Sequence, residues 1–313
     1  MSKGYRVYRE GFPHHVFTRS KNGGILFYST SDCLFYTTLY CCLARRYKIC
    51  TRAFSIMPNH IHSNEQSPDK KAFLHFHRQL NSDFSREYNR AHGRTGPLFD
   101  AEFGYAAKTA GKKIRDNICY IANNACVGKM AKDVLDYRWN LLAYRQTDHP
   151  FSEKIVLRHS SRPFQRAVRM VNYYRKYDHP MSYARQKVVF KGLTLSERQQ
   201  IIDYILSKYN CMDYVSMEGF YGNSFDKACL SWRTNSGSEH DIPEDYEDYG
   251  IYARMLRLAA AEKVDLIHCN FETAAPELIR KLERTFRRNN FPERQIRRFL
   301  HQDDRSDSSR VHP

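Results

Sequence analysis

Ile49-Cys50-Thr51-Arg52-Ala53-Phe54-Ser55-Ile56-Met57-Pro58-Asn59-His60-Ile61-His62 is the stretch on which the fold turns. β-Branched and aromatic residues dominate it, with Ile49, Thr51, Phe54 and Ile56 leading into Met57-Pro58-Asn59 and then His60-Ile61-His62, so it reads as a β-strand. Pro58 lacks an N–H and calls for an edge position, a bulge or a short break inside the run. On a strand, residues i and i+2 point to the same face, which sets the His60 and His62 imidazoles side by side with Ile61 opposite. Such a pair is half of a divalent-metal site. The motif alone suits two surface histidines equally well, because the chain holds 14 of them.

Outward from this strand, helix and strand signals alternate. Phe12 to Arg19, with Val16, Phe17 and Thr18, reads as strand, and Lys21-Asn22-Gly23-Gly24 as a turn. Leu34, Phe35, Thr38, Leu39 and Cys42 mark a helix capped by Ser31. Ser67-Pro68-Asp69 opens a second, with Ser67 as cap and Phe73, Phe76, Leu80 and Phe84 as one apolar stripe. Gly93 to Pro97 is a loop, and Leu98, Phe99 and Phe103 open another strand. A third helix is predicted from Lys112 to Met130. The pattern predicts an α+β protein whose first part is a small α/β sandwich, with helices against one sheet. Helices are also predicted for Ser161 to Tyr177, Leu195 to Leu206, Ile251 to Glu262, Ala275 to Arg288 and Phe291 to Leu300. This divides the chain into a sandwich domain over 1–148, a mainly helical extension over 149–302 and a frayed tail over 303–313, with an acidic loop from Asp241 to Tyr249.

The chain has 313 residues, 50 Lys and Arg against 34 Asp and Glu, and a net charge of +16. That excess favours a polyanionic partner. The 22 Tyr and 19 Phe suit single-stranded or folded nucleic acid, on whose bases aromatic rings stack. The charge is uneven: residues 1–150 carry 23 basic against 12 acidic side chains, 151–190 nine against two, and 191–313 18 against 20. The polyanion surface is therefore expected within the first 190 residues. No apolar run reaches the ~18 residues of a membrane span, and the N-terminus has no apolar leader, so a cytoplasmic location is expected. Nine cysteines without a Cys-x-x-Cys pair argue against a zinc finger and for reduced, packed thiols.

Tyr120 lies in the third helix, and Asn124, one turn on, falls on the same face. A phenol is a poor nucleophile at its usual pKa of ~10. A metal that polarises a phosphate and stabilises its developing charge makes attack feasible, giving a covalent phosphotyrosine. Taken singly, any tyrosine of this chain is more often a packing residue. His14 and His15 are expected to pack; His75 and His77 fall on different helix faces and make no site. Arg19, Arg45, Arg46, Lys112, Lys113 and Arg115 are candidate phosphate contacts, and a helix carrying Arg162, Arg166, Arg169 and Arg175 is either a DNA-tracking surface or a solvated linker.

Taken in order, Gly11-Phe12-Pro13-His14-His15-Val16-Phe17-Thr18-Arg19, Met57-Pro58-Asn59-His60-Ile61-His62, Gly96-Pro97-Leu98-Phe99, Tyr120-Ile121-Ala122-Asn123-Asn124 and Asp136-Tyr137-Arg138-Trp139-Asn140 resemble the single-tyrosine HUH transposases of the insertion-sequence-200-like superfamily. Within it the chain is most similar to the REP-associated tyrosine transposases, over about residues 4–145. The resemblance implies a ferredoxin-like α/β fold with the two histidines on a central strand. It implies His60, His62 and Asn124 as ligands of Mg²⁺ or Mn²⁺, and Tyr120 as the nucleophile. The implied activity is cleavage and rejoining of single-stranded hairpin DNA through a 5′-phosphotyrosine, in the bacterial nucleoid. Two departures stand out. Ala125 follows Asn124 where the family often has Pro, and the histidine strand continues as polar Ser63-Asn64-Glu65-Gln66, of which Glu65 and Gln66 are expected to face solvent. A catalytically silent palindrome-binding regulator, a water-using metal nuclease and an RNA-processing factor remain alternatives, as do monomer and homodimer.

Overall fold

In a computed structural model the described residues are 7–100, 103–232, 248–266, 269–271 and 273–302. The expected tail over 303–313 and residues 241–247 of the expected acidic loop lie outside them. Strand β1 is His14–Arg19. Helix α1, Thr30–Tyr47, is capped by Ser29 rather than Ser31. The Ser29 side chain accepts from the Asp32 N–H while Asp32 reaches back to the Ser29 N–H, a closed capping box.

The run from Ile49 to His62 is two strands, not one. β2, Cys50–Met57, turns at Pro58-Asn59 into antiparallel β3, His60–Gln66. Proline fixes its own φ and offers no ladder donor, so the chain reverses where a longer strand was expected. The Pro58 carbonyl instead accepts from the Leu26 and Phe27 N–H groups, and the Asn59 amide donates to the Gly23 carbonyl. Helix α2, Lys70–His92, is capped by Asp69 and not Ser67; its aspartate accepts from the Ala72 N–H. Strand β4, Gly104–Ala107, begins just after Phe103, with Phe99 making only an isolated bridge to Ser20. Helix α3 is Gly111–Val127.

The four strands form one antiparallel sheet in the order β2-β3-β1-β4. Its two faces have different partners. Val16, Phe54, Ile56 and Ile61 face α1 and α2, where the predicted stripe Phe73, Phe76, Leu80 and Phe84 is fully buried. Each such side chain contributes roughly 1.5–3 kcal/mol. The other face carries His15 and Phe17 from β1 and His60, His62 and Asn64 from β3. It is covered by α3, with the Asn64 amide donating to Asn117 at 2.7 Å. Phe17 lies so close over Gly104 that a Cβ there would meet its ring at 2.0 Å.

The polar continuation of β3 is buried, against the expectation of exposure. Glu65 has no solvent-accessible surface and accepts from His77 Nε2 (2.8 Å), Tyr40 (2.8 Å) and Ser63 (2.5 Å). Gln66 is half-buried and holds Arg52 and the Gly11 carbonyl. The alternation of β3 aims Glu65 into the α1–α2 layer.

The second half is helical: α4 Arg162–Lys176, α5 Tyr183–Val189, α6 Leu195–Tyr209, α7 Tyr214–Gly219, α8 Phe225–Ser231, α9 Gly250–Ala261, α10 Pro276–Arg288 and α11 Glu293–Phe299. Helix α6 packs on α1 and α4 on α6. Buried Asp203 in α6 accepts from Tyr144, the Phe151 N–H and Ser152, tying the end of the sandwich to the helices. Met212 bridges to Thr51, covering the outer edge of β2 there. Helices α9 to α11 pack around Ile25, Tyr28 and Met57, at the turn end of the β2–β3 hairpin. Tyr28 donates to the Phe299 carbonyl and His301 to that of Ile25. No helix among the described residues is long and apolar enough to cross a membrane, and no disulfide links any of the nine cysteines.

Candidate active site

Alternation along β3 puts His60 and His62 on the α3 face, with ring centroids 4.8 Å apart. Register adds β1 residues to the same face: Phe17 stands opposite His62, and Arg19 opposite His60. Tyr120 comes down from α3. Its ring meets those of His62 at 5.5 Å and His15 at 5.7 Å, both edge-on. The four side chains His15, His60, His62 and Tyr120 therefore form one cluster between sheet and helix.

Both candidate histidines have a neighbour that orients them. His60 Nδ1 is 2.7 Å from Asn59 Oδ1. An amide oxygen only accepts, so Nδ1 carries the proton and Nε2 the lone pair. His62 Nδ1 is 2.9 Å from His15 Nε2. If His62 donates there, its Nε2 likewise holds the lone pair, the usual outer-shell arrangement around a metal-binding imidazole. Burial, reinforced by the nearby His60, His15 and Arg19, holds His62 well below its ordinary pKa. It is neutral at pH 7, the form that ligates. Asn124 lies one turn after Tyr120, and its amide nitrogen is buried with no hydrogen-bond partner. Two imidazole nitrogens and an amide oxygen make a donor set that suits a divalent ion with open positions. Among the described residues no three His, Cys, Asp or Glu are grouped to hold a metal; the set depends on the Asn124 amide for its third member.

The expected residues divide. His60, His62 and Tyr120 meet, and Asn124 shares their helix face. Arg19 borders the site, its guanidinium 5.8 Å from the Phe17 ring centre. Lys112, Lys113 and Arg115 are exposed on the first turns of α3. Lys113 lies seven residues before Tyr120 and so on its stripe. Arg46 is exposed on α1, on the far side of the sheet. Arg45 is engaged inside the protein. Its guanidinium holds Asp178 at 2.6 Å and the Tyr209 carbonyl at 2.7 Å, joining α1 to the second half. His14 packs as expected, buried and stacked on Tyr8 at 4.6 Å, with burial lowering its pKa to about 4. His15 packs too, 1% exposed, and its packing partners are His62 and Tyr120 of the candidate site. Neighbours on a strand face opposite ways, so one of the His14-His15 pair had to face α3. Nothing in the sequence signalled Tyr249, whose ring lies 5.5 Å from His60.

Tyr249 reaches His60 because α9 starts tightly against the end of α3. The Gly250 N–H donates to the Gly128 carbonyl at 3.1 Å, and a Cβ on Gly250 would stand 2.6 Å from the Lys129 carbonyl oxygen. Backbone cannot yield as a side chain can. Gly250→Val is therefore expected to push α9 outward and draw Tyr249 from His60. The predicted loss of stability is about 1–3 kcal/mol, read by thermal melting, with a shifted His60 imidazole signal in NMR spectra. An unchanged His60 signal would show that Gly250 does not set the position of Tyr249.

No protein-family model matches the chain, and no curated protein is significantly similar to it. A solved structure described as a REP-associated tyrosine transposase bound to a REP hairpin is similar at 19% identity, over 46% of this chain and 84% of that one, with a TM-score of 0.40. The functional reading therefore rests on this chain's own side chains.

Proposed function

We propose that this chain is a metal-dependent tyrosine nuclease and strand transferase that acts on single-stranded hairpin DNA. The observation that carries the proposal is the meeting of the Tyr120 ring with His62 and His15 over the same sheet face as His60. The strand order β2-β3-β1-β4 in a βαββαβ path supports a ferredoxin-like sandwich, with α3 laid across the free face.

His60, His62 and Asn124 would hold Mg²⁺ or Mn²⁺, which when bound supplies charge stabilisation at the phosphoryl oxygens. Tyr120 attacks the scissile phosphorus. The Tyr120 O–P bond forms as the phenol gives up its proton to solvent, the P–O3′ bond breaks, and the leaving oxygen takes up a proton from solvent to become a free 3′-OH. A 3′-OH attacking the phosphotyrosine reverses the step and reseals or transfers the strand. Arg19, opposite His60 in the strand register, and Lys113, two turns before Tyr120 on α3, would receive flanking phosphates.

The test uses the full chain with end-labelled hairpin DNA and Mn²⁺ or Mg²⁺, resolved on denaturing gels. The expected result is a labelled product that stays on the protein and disappears with EDTA. Tight binding with neither adduct nor cut would make the chain a palindrome-binding regulator, and a metal-dependent cut with no adduct a water-using nuclease. Activity confined to RNA would make it an RNA-processing factor.

A further inference from the structure

We propose that the exposed face of α4 is a second DNA-binding surface, a stacking platform for an unpaired single strand, separate from the Tyr120 site. The inference rests on the DNA-processing reading for its choice of DNA over RNA. Its physical basis is independent of Tyr120.

Helix α4 has two unlike sides. Phe164, Ala167, Val168 and Val171 are buried against the helical layer. Arg162, Arg169, Tyr173, Lys176 and Tyr177 form the opposite stripe, and all five are exposed. At 100° per residue these positions, the last of them the C-cap Tyr177, fall within about a quarter-turn of one another, along roughly 22 Å. Tyr173 and Tyr177 keep 56% and 53% of their surface in solvent. Their rings lie 4.9 Å apart, and the Lys176 ammonium sits 5.6 Å from the Tyr177 ring centre. Two large rings left side by side in water, flanked by cations, are what a sequence-tolerant single-strand surface needs: π-faces for bases and charges for the backbone.

The charges on this stripe are not used internally. Elsewhere arginines pair with carboxylates, as Arg45 does with Asp178 and Arg145 with Asp226. Among the described residues Arg162, Arg169 and Lys176 have no such carboxylate. Residues 151–190 hold nine basic against two acidic side chains, so the local field favours a polyanion. Helix α4 packs on α6, which packs on α1, and α1 covers the sheet face opposite α3. The platform is thus on the other side of the sheet from Tyr120, and a strand held there extends beyond the segment being cut.

The test is fluorescence anisotropy of the full chain with labelled dT20, which forms no hairpin, over a salt series. Wild type is expected to bind. Tyr173→Ala/Tyr177→Ala should weaken it by about tenfold or more, since each stacked base contributes measurably. Arg162→Ala/Arg169→Ala/Lys176→Ala should weaken it and flatten the slope of log K against log salt by about 2, for three single-strand phosphate contacts. Both variants should form wild-type levels of adduct on a minimal hairpin without flanking strand. Loss of that adduct would tie these residues to the Tyr120 site and overturn the separation. No binding of dT20 by wild type, or unchanged affinity in the tyrosine variant, would overturn the platform. Tighter binding of rU20 than of dT20 would overturn its assignment to DNA. If wild type never forms an adduct, the catalytic reading fails while dT20 binding still decides this one.

Discussion

Tyr120→Phe is expected to yield no covalent protein–DNA product at all, while hairpin affinity stays within about tenfold of wild type, the most that one lost hydrogen bond of roughly 1.5 kcal/mol removes. The substitution deletes a single oxygen. The ring that meets His62 and His15 edge-on remains, so packing around α3 is kept. Two other tyrosines of the described residues are held differently: Tyr137 is buried with its hydroxyl donated to the Ile56 carbonyl, and the Tyr249 ring lies 5.5 Å from that of His60. His60→Ala is expected to abolish the adduct by a different route, leaving Tyr120 in place but removing a proposed metal ligand. Comparing the two variants separates the roles: nicked, protein-free DNA from the Tyr120→Phe chain would mean that water attacks and that Tyr120 is structural. A surviving adduct would place the nucleophile elsewhere.

Much of this site was legible because its parts are local. The spacing His60-x-His62 needs only a strand to align the rings, and Tyr120 and Asn124 need only a helix. The apolar stripe of α2 was readable for the same reason: its period is that of the helix which buries it. What was missed depends on partners far away in the chain. Ser63 to Gln66 look solvent-facing by composition, yet β3 is an inner strand, and burial follows from its neighbours β2 and β1 rather than from its own residues. Arg45 looks like a free cation until Asp178, 133 residues on, is placed beside it. His15 joined the site through register with β3, and Tyr249 through the packing of α9 on α3. The caps of α1 and α2 shifted by two residues because Ser29 and Asp69, like Ser31 and Ser67, are good caps, and only the backbone geometry chooses between them.

Glu65→Leu is expected to be the most damaging single change to stability, about 3–5 kcal/mol by chemical or thermal unfolding. The carboxylate sits under the sheet with no exposed surface, and three donors from three elements converge on it: His77 of α2, Tyr40 of α1 and Ser63 of β3 itself. Leucine would fill the volume and leave those donors facing an apolar side chain. An unmet buried donor costs about 1–3 kcal/mol. Burial by itself pushes the Glu65 carboxyl up, but the adjacent His77 and the hydrogen bonds from His77, Ser63 and Tyr40 outweigh it and hold the group below its ordinary 4.5. A depressed carboxyl stabilises the fold above the unfolded-state value, and that contribution is lost as pH falls through the folded-state value. Glu65→Gln keeps an oxygen acceptor at the same place but cannot ionise. The gap in stability between wild type and Glu65→Gln should therefore be full at pH 6–7, shrink as pH drops below about 4.5, and be smallest once wild-type Glu65 is protonated. A gap that stayed constant or widened on acidification would show that the charge on Glu65 contributes nothing. The network would then act through shape and hydrogen bonding alone. Because Glu65 and His62 lie on opposite faces of β3, Glu65→Gln at neutral pH should lower the melting temperature without altering the adduct formed per folded molecule. That separates the layer which holds the sheet from the layer which carries the candidate site.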